Sequence, residues 1–315
     1  MDQFRQQLTR LGEDGDAAAE RDVALFSDLD RAQATELRGV WPTLPLETRR
    51  RLVAQMVDLG EERVEYNFNR ALKPALRDAD PRVRAGAIEG LWEDEGADFL
   101  AYLLDEASRD PDERVREAAV RALAPFGRLA VQDEIDARWI APLYQRLLEI
   151  VRGDDSVEIR RRALEALAVW SEDPEVTRQI ERAYASPDER LRMSALYAMG
   201  RNLDERWLPP ILEEMDSTSP GMRYEATRAS GELADRRAVP RLIERLGDDD
   251  REVQLAAIGA LGQIGGQASV NILKRLAVSK DDVVREAAEE ALDEAAFMSD
   301  PIGPGSRLLE GEDRE

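Results

Sequence analysis

The chain has few side chains that could do covalent or metal chemistry. Its 315 residues include no histidine and no cysteine. Without imidazole or thiolate groups, the Ser-His-Asp and Cys-His catalytic arrangements are excluded, and so are disulfide bonds and the usual zinc ligands. Carboxylates alone remain as candidate metal ligands, and they suit Ca²⁺ or Mg²⁺.

The densest group of carboxylates is Asp248-Asp249-Asp250. It lacks the internal glycine and the distant glutamate of an EF-hand calcium loop, whereas aspartate directly before an amphipathic run is typical of a helix N-cap. The glycines that follow, at 259, 262, 265 and 266, lack the spacing of a dinucleotide-binding loop, and no lysine follows them as a phosphate-binding loop requires. We therefore predict a capping turn, no metal, no cofactor and no catalytic residue. An enzymatic role stays open but is not favoured.

These residues belong to a pattern that recurs along the chain. Within Asp248–Gly266, apolar side chains at offsets 0, 4, 7, 8 and 11 share one face of an α-helix. Seven copies align on an apolar anchor, at intervals of 32, 44, 32, 31, 31 and 31 residues. The anchors are Val83, Val115, Ile159, Leu191, Met222, Val253 and Val284. Alanine stands four residues after every anchor, and glycine or alanine stands seven residues after it. Such small residues let helices approach closely.

Each copy also contains a second amphipathic run before its anchor, such as Ala238–Leu246 or Trp207–Met215. Asp-Pro, Ser-Pro and Asp-Asp turns separate the two runs. Aspartate and serine accept hydrogen bonds from the free amides at a helix start, and the negative charge of aspartate suits that end of the helix dipole. Each copy is therefore predicted to be a helix, a capped turn and a second helix.

This D-P-x-x-V-R-x-x-A-x-x-A-L-G type of pattern resembles HEAT repeats, in the short bacterial variety also found in phycobilin lyases. The resemblance covers about residues 61–295. It implies an all-α fold, a right-handed α-solenoid or armadillo-like superhelix of about seven helix pairs. In this family the arginine after the anchor bonds carboxylates in the turns of neighbouring repeats. Gln254 replaces that arginine in the sixth copy, so one such link is expected to be missing, and Ser230 replaces the usual leucine in the fifth.

Three segments are expected along the chain. Residues 1–30 are predicted to be a partly ordered N-terminal arm, residues 31–295 the solenoid, and residues 296–315 a flexible acidic tail. The first part of the solenoid, residues 31–60, is predicted to be a divergent capping pair of helices. The 44-residue interval holds an insertion near residues 126–138. We favour a longer loop or an extended helix there over a binding insertion.

The N-terminal arm itself has three parts. Asp2–Leu11 has the pattern of a short helix, and Gly12–Asp16 that of a flexible joint. Ala17–Leu29 carries apolar residues that fit a short docking segment. No apolar run at the N-terminus has the length of a signal peptide, and no run in the sequence is long enough to span a bilayer. We therefore expect a cytoplasmic protein.

The composition is strongly acidic, with 66 acidic residues against 44 basic ones, a net charge of −22 and a pI near 4.6. Nucleic acids and anionic membranes carry the same sign of charge, so neither is an expected partner. A protein or peptide partner, including one with a basic surface, is compatible with this charge. Nearly all cations are arginine, which fits a thermophile, a halophile or a GC-rich genome equally well.

A partner-binding surface is predicted on the second helix of each copy, opposite its core face. In the HEAT family this side lines the concave surface. From positions two and six after the anchors, the predicted set takes Met193, Tyr197, Tyr224, Arg228, Leu255 and Arg161, to which Arg201 is added. Aromatic residues, methionine and arginine are common interface anchors. The alternative is that tight curvature packs these residues against one another.

The predicted function is that of a monomeric, non-catalytic scaffold that binds a peptide or protein on its concave face. The alternative is a phycobilin-lyase-like or chaperone-type protein that acts on a cofactor-bearing protein. The resemblance also raises two HEAT-repeat enzymes. Deoxyhypusine hydroxylase needs His-Glu motifs for its irons, which a chain without histidine cannot supply. Alkylpurine DNA glycosylases of the HEAT-like type surround the damaged base with tryptophan and aspartate on a basic concave surface. Trp92 and Trp170 are the comparable residues of this chain, but its acidic charge argues against DNA binding.

Overall fold

The computed structural model describes residues 20–299, and all regular secondary structure within them is helical. The α-helices are α1 (Glu20–Val23), α2 (Arg31–Val40), α3 (Leu46–Glu62), α4 (Asn69–Leu72), α5 (Pro81–Glu89), α6 (Ala97–Asp105), α7 (Glu113–Val131), α8 (Ile140–Arg152), α9 (Val157–Leu167), α10 (Pro174–Tyr184), α11 (Glu189–Asn202), α12 (Leu208–Glu214), α13 (Pro220–Glu232), α14 (Val239–Arg245), α15 (Arg251–Ile264), α16 (Gly266–Leu276) and α17 (Asp282–Ser299). Short 3₁₀ helices occupy Ala24–Phe26, Trp41–Thr43, Lys73–Arg77, Ala107–Arg109, Ala137–Trp139, Glu205–Trp207 and Arg236–Ala238. The all-α fold class is confirmed.

The chain divides into two compact units, residues 1–166 and residues 167–315. Both are built from the predicted pairs of helices. We call the second helix of each repeat its B helix; the B helices are α5, α7, α9, α11, α13, α15 and α17. In the first unit α5 packs against α7, and in the second unit α11, α13, α15 and α17 pack in succession. These B helices therefore lie side by side within their unit.

The core follows the sequence pattern closely. The alanine four residues after each anchor is 0% exposed in every repeat. These residues are Ala87, Ala119, Ala163, Ala195, Ala226, Ala257 and Ala288. Six of the seven anchors are buried as well, and Val284 of the last repeat is half-buried. Val284 has less cover because no helix follows α17 in the described part of the chain.

Successive B helices of the second unit touch backbone to backbone. A Cβ atom built on Gly200, Gly231 or Gly262 would stand 2.7–2.9 Å from the Cα of an alanine on the next B helix. The three contacts are Gly200 with Ala229, Gly231 with Ala260 and Gly262 with Ala291. In each case the glycine is nine residues after one anchor and the alanine seven residues after the next. No larger side chain fits at the glycine positions without moving the helices apart.

A second periodic contact joins the turns of neighbouring repeats. In three repeats the arginine after the anchor donates two hydrogen bonds, of 2.7–2.9 Å, to an aspartate in the next turn. The pairs are Arg84 with Asp110, Arg116 with Asp155 and Arg223 with Asp248. Each guanidinium also donates to a backbone carbonyl of its own turn, at 2.8–3.0 Å. These bidentate bonds fix the position of one turn relative to the next.

The sixth repeat lacks this link, as expected from Gln254. The Gln254 amide donates to the backbone oxygen of Asp248 at 2.5 Å, within its own turn. The following turn has Ser279 two residues before its capping Asp281, where the earlier turn has Asp248 before Asp250. Arg251 instead reaches Asp281 at 2.7 Å. A single hydrogen bond at a more exposed site therefore replaces the bidentate pair.

The structure describes parts of the predicted N-terminal arm, insertion and C-terminal tail. Val23, Phe26 and Leu29 are each 1% exposed, and α1 packs against α3, so residues from Glu20 onward are held by the first helix pair. Helix α7 runs into the predicted insertion as far as Val131, and α17 continues four residues past position 295 to Ser299. The predictions for Asp2–Leu11, for Gly12–Asp16 and for the tail beyond residue 299 lie outside the described residues.

We predict that Gly262→Ala lowers the free energy of unfolding by about 1–2 kcal/mol, because the added methyl group forces α15 and α17 apart. The matched control is Gly259→Ala in the same helix, where an added Cβ meets nothing within 4 Å. It should raise the free energy of unfolding by about 0.5–1 kcal/mol, because alanine loses less backbone entropy on folding. Urea denaturation followed by circular dichroism measures both. Equal effects would contradict the close approach of the two helices.

The Arg223–Asp248 pair predicts a pH-dependent loss of stability. The hydrogen bond from Arg223 holds the pKa of Asp248 below its usual value. Stability from such a depressed pKa is fully present above the unfolded-state value, about 3.9, and is lost as pH falls through the folded-state value. At pH 7, Arg223→Gln should lower the free energy of unfolding by about 2–3 kcal/mol, because the Asp248 side chain is only 3% exposed and keeps just the weaker contact with Arg245.

The difference between wild type and Arg223→Gln should then shrink below about pH 4, as Asp248 becomes protonated. Arg190→Gln is the control, because Arg190 pairs with Asp188 at an exposed site. It should change stability little at any pH. Denaturation curves at pH 7 and pH 3.5 make the comparison. An Arg223→Gln effect of the same size at both pH values would rule out the ion pair as its cause.

Candidate partner-binding surface

Five residues of the predicted binding set lie on three neighbouring helices of the second unit. Met193 and Tyr197 belong to α11, Tyr224 and Arg228 to α13, and Leu255 to α15. We call these five residues the aromatic row. Because the three helices pack in register through their small residues, positions two and six of each repeat recur side by side. All five side chains are half-buried, so each has one covered and one open side.

Met193 is covered by the first turn of α13. Its Cε and Sδ atoms lie 3.1 and 3.2 Å from the point that a Cβ on Gly221 would occupy. Glycine at position 221 therefore leaves the space in which the thioether rests. Met193 is half-buried overall, so part of its surface stays accessible, and an unbranched, polarizable side chain adapts well to different apolar groups.

Tyr197 and Arg228 contact each other across the α11–α13 boundary. The Arg228 guanidinium lies 5.0 Å from the centre of the Tyr197 ring, in cation–π geometry. Its Nη2 also donates to Glu232 Oε1 at 2.6 Å, and its Nη1 lies 3.7 Å from Glu225 Oε2. Burial alone would lower the pKa of Arg228, but the hydrogen bond to Glu232 and the charges of both glutamates outweigh it and raise that pKa. Arg228 is therefore a fixed cation.

The remaining arginines of the predicted set are also paired. Arg201 lies 3.8 Å from Glu232 and is 38% exposed. Arg161 lies in the first unit, on α9, where Glu158 is 2.9 Å away and Glu165 is 3.6 Å away. The phycobilin-lyase-like alternative would require arginines to bind the carboxylates of a tetrapyrrole, and those carboxylates would have to compete with these glutamates for each arginine.

The glutamates that hold Arg228 were missed by the sequence reasoning, although a signal for them was present. Glu225 and Glu232 lie three residues before and four residues after Arg228, the spacings at which charged side chains meet on a helix. Their charges balance the arginines beside them. Locally the row thus offers apolar and aromatic surface with charges of both signs, and the acidic excess comes from the chain as a whole.

The structure also bears on the residues first considered for chemistry. Asp250 accepts hydrogen bonds from the backbone amides of Glu252 and Val253 at 2.9 and 3.3 Å, which is the predicted helix cap. Asp248 forms an ion pair with Arg223. Within residues 20–299 no group of three or more acidic, histidine or cysteine side chains has a metal-binding arrangement. Across the same residues, every helix is too short or too polar to cross a bilayer.

Helix pairs in register, small residues between their B helices and Arg–Asp links between their turns define a helical-repeat protein. The sequence model of the family described as HEAT repeats matches residues 69–137 and 208–293. The resemblance of the sequence pattern to HEAT repeats is thereby confirmed for these two segments.

Two solved structures of yeast importin-β have a similar fold. Yeast importin-β (Kap95p) is 14% identical, with a TM-score of 0.58, and the match covers 98% of this chain and 48% of importin-β. The same protein in a Kap95:Nup1 complex is 14% identical, with a TM-score of 0.55 and coverage of 98% and 47%. An engineered protein is 18% identical over 92% of this chain and 88% of its own, with a TM-score of 0.45. The chain thus spans about half the length of importin-β. No curated protein matches the sequence.

Proposed function

We propose that this protein is a non-catalytic interaction scaffold whose aromatic row binds a peptide or protein partner. HEAT and armadillo folds are typical of proteins that bind other proteins. Importin-β is a solved example of a similar fold in complex with a protein, since its structure with Nup1 is known. At 14% identity that likeness concerns the fold, so the proposal depends on the row itself.

The observation that carries the proposal is the position of Met193, Tyr224 and Leu255. They stand at the same place on three packed B helices, and none of them is fully buried. An apolar strip that crosses several helices can take the side chains of one helical or extended segment. Methionine and tyrosine are frequent in such interfaces, because methionine adapts its shape to apolar neighbours and tyrosine buries a large ring.

The proposed partner presents an apolar segment with basic residues around it. The apolar segment matches the row, and the basic residues match the net charge of −22. Long-range attraction of this kind speeds encounter and weakens with added salt, whereas the contacts at the row set the lifetime of the complex. In the HEAT family this face is the concave one, and we assign the site to it.

The test combines Met193→Glu with Tyr224→Glu. Both side chains are half-buried with one open side, toward which a glutamate can turn, so the substitutions should change the melting temperature little while placing two charges in the apolar strip. Recovery of the partner from native lysate, quantified by mass spectrometry with the scaffold as bait, should fall about tenfold or more.

The matched control is Ile243→Glu combined with Val278→Glu. These residues lie in the same unit, are exposed and apolar, and give the same change of charge away from the B helices. The control should recover the partner as well as wild type does. Capture that survives the Met193 and Tyr224 substitutions, or that falls equally in the control, would place the binding site elsewhere.

A further inference from the structure

The first unit contains an apolar pocket that has no part in the aromatic row. Its volume is about 310 Å³, and it lies beside α3, α5 and α7. The side chains that define it are Val57, Ile88, Leu91, Trp92, Phe99 and Phe126. Trp92 stands at its edge with 57% of its surface exposed, while Ile88, Leu91, Phe99 and Phe126 are buried. We call this site the Trp92 pocket.

The pocket exists because the repeat pattern changes at Trp92. This residue is nine positions after the anchor Val83, where the second unit has Gly200, Gly231 and Gly262. Those glycines bring successive B helices into backbone contact. A tryptophan cannot enter such a contact, and α5 already ends at Glu89. The indole therefore stands outside the packed helices. A large exposed aromatic group beside an apolar hollow is typical of a binding site.

The rim of the pocket carries more negative charge than positive charge. Glu89 pairs with Arg121 at 3.1 Å, and Asp94 pairs with Lys73 at 3.1 Å. Glu61 and Glu95 also line the pocket, and neither forms an ion pair with any other residue that the structure describes. An occupant with an apolar face and basic residues beside it fits these features.

The chain itself contains a segment of this chemistry. Phe4, Leu8 and Leu11 fall at offsets 0, 4 and 7, which places them on one face if the segment is helical. On the same helical projection, Arg5 and Arg10 flank that face on either side. Residues 1–11 hold these two arginines against a single acidic residue, in a chain whose net charge is −22.

The segment is tethered to a helix that packs on one wall of the pocket. The described chain begins at Glu20 in α1, which packs on α3, and α3 supplies Val57 and Glu61 to the pocket. Residues 12–19 join the two parts and can span up to about 26 Å when extended. A tether of this length gives an effective concentration of about 1 mM, so even a weak intrinsic affinity keeps the site occupied.

We propose that the Trp92 pocket is a docking site for the protein's own N-terminal segment, Phe4–Leu11. The apolar face of the segment covers Trp92 and fills the pocket, while Arg5 and Arg10 lie near Glu61 and Glu95. A segment of similar chemistry from another protein reaches the pocket only by displacing this one. The site is separate from the aromatic row, so its test is independent of the proposed function.

The experiment uses the full-length protein with Phe4→Glu and Leu8→Glu together. Releasing the segment exposes Trp92 to water, so tryptophan emission should shift to longer wavelength, and this shift should vanish in a Trp92→Phe background. A synthetic peptide of residues 1–12, which contains no tryptophan, should reverse the shift with a Kd of about 10⁻⁵–10⁻⁴ M, at which an effective concentration of about 1 mM keeps the tethered segment bound. Wild type should bind the peptide at least tenfold more weakly, because its own segment competes.

The matched control is Gln6→Glu with Thr9→Glu, which gives the same change of charge on the opposite face of the segment. Its emission and its resistance to the peptide should stay close to those of wild type. Glu61→Gln with Glu95→Gln should weaken peptide binding to the released protein several-fold, and 0.5 M NaCl should do the same. Three results would overturn the proposal: no Trp92-dependent shift, equal peptide binding by wild type, or a shift that depends on protein concentration and so reveals docking between two copies.

Discussion

The contact between glycine and alanine on successive B helices is the constraint on which the second unit depends. At Gly200, Gly231 and Gly262 the next helix comes so near that a single added carbon would overlap its backbone. Contact at this distance permits one register only, because a shift by one turn would bring larger side chains against the helix axis. The buried alanines four residues after each anchor and the Arg–Asp links between turns then support the same register from other sides.

The candidate binding surface is a consequence of this register. Met193, Tyr224 and Leu255 form a row only because their three helices pack without a shift along their axes, which places equivalent positions side by side. The same geometry brings Arg228 over Tyr197 and within reach of Glu232. Where the pattern changes, the surface changes with it. Trp92 occupies the glycine position of the first repeat, and a pocket lies beside it where α5 ends. One rule of packing thus accounts for both sites.

Much of the fold could be predicted from the sequence because the residues that recur in each repeat are the ones that form the core. Ala119 and Ala257 are completely buried, and the missing link at Gln254 could be inferred from one substitution. The side-chain partners of the surface were harder to predict. The Arg228 guanidinium can turn toward Tyr197, Glu225 or Glu232, and the spacing of these residues in the sequence does not decide which of them it contacts. The Trp92 pocket depends on where α5 ends, and element boundaries are the least certain part of sequence reasoning.

The register can be measured directly by NMR, with protonated alanine methyl groups and glycines in a deuterated background. The contact predicts strong nuclear Overhauser effects from the methyl groups of Ala229, Ala260 and Ala291 to the α-protons of Gly200, Gly231 and Gly262 respectively, because each methyl carbon lies 2.8–3.0 Å from the point that a glycine Cβ would occupy. Effects from Ala226 or Ala257 to these glycines instead, one turn away, would mean that the helices pack in another register. The row formed by Met193, Tyr224 and Leu255 would then not exist.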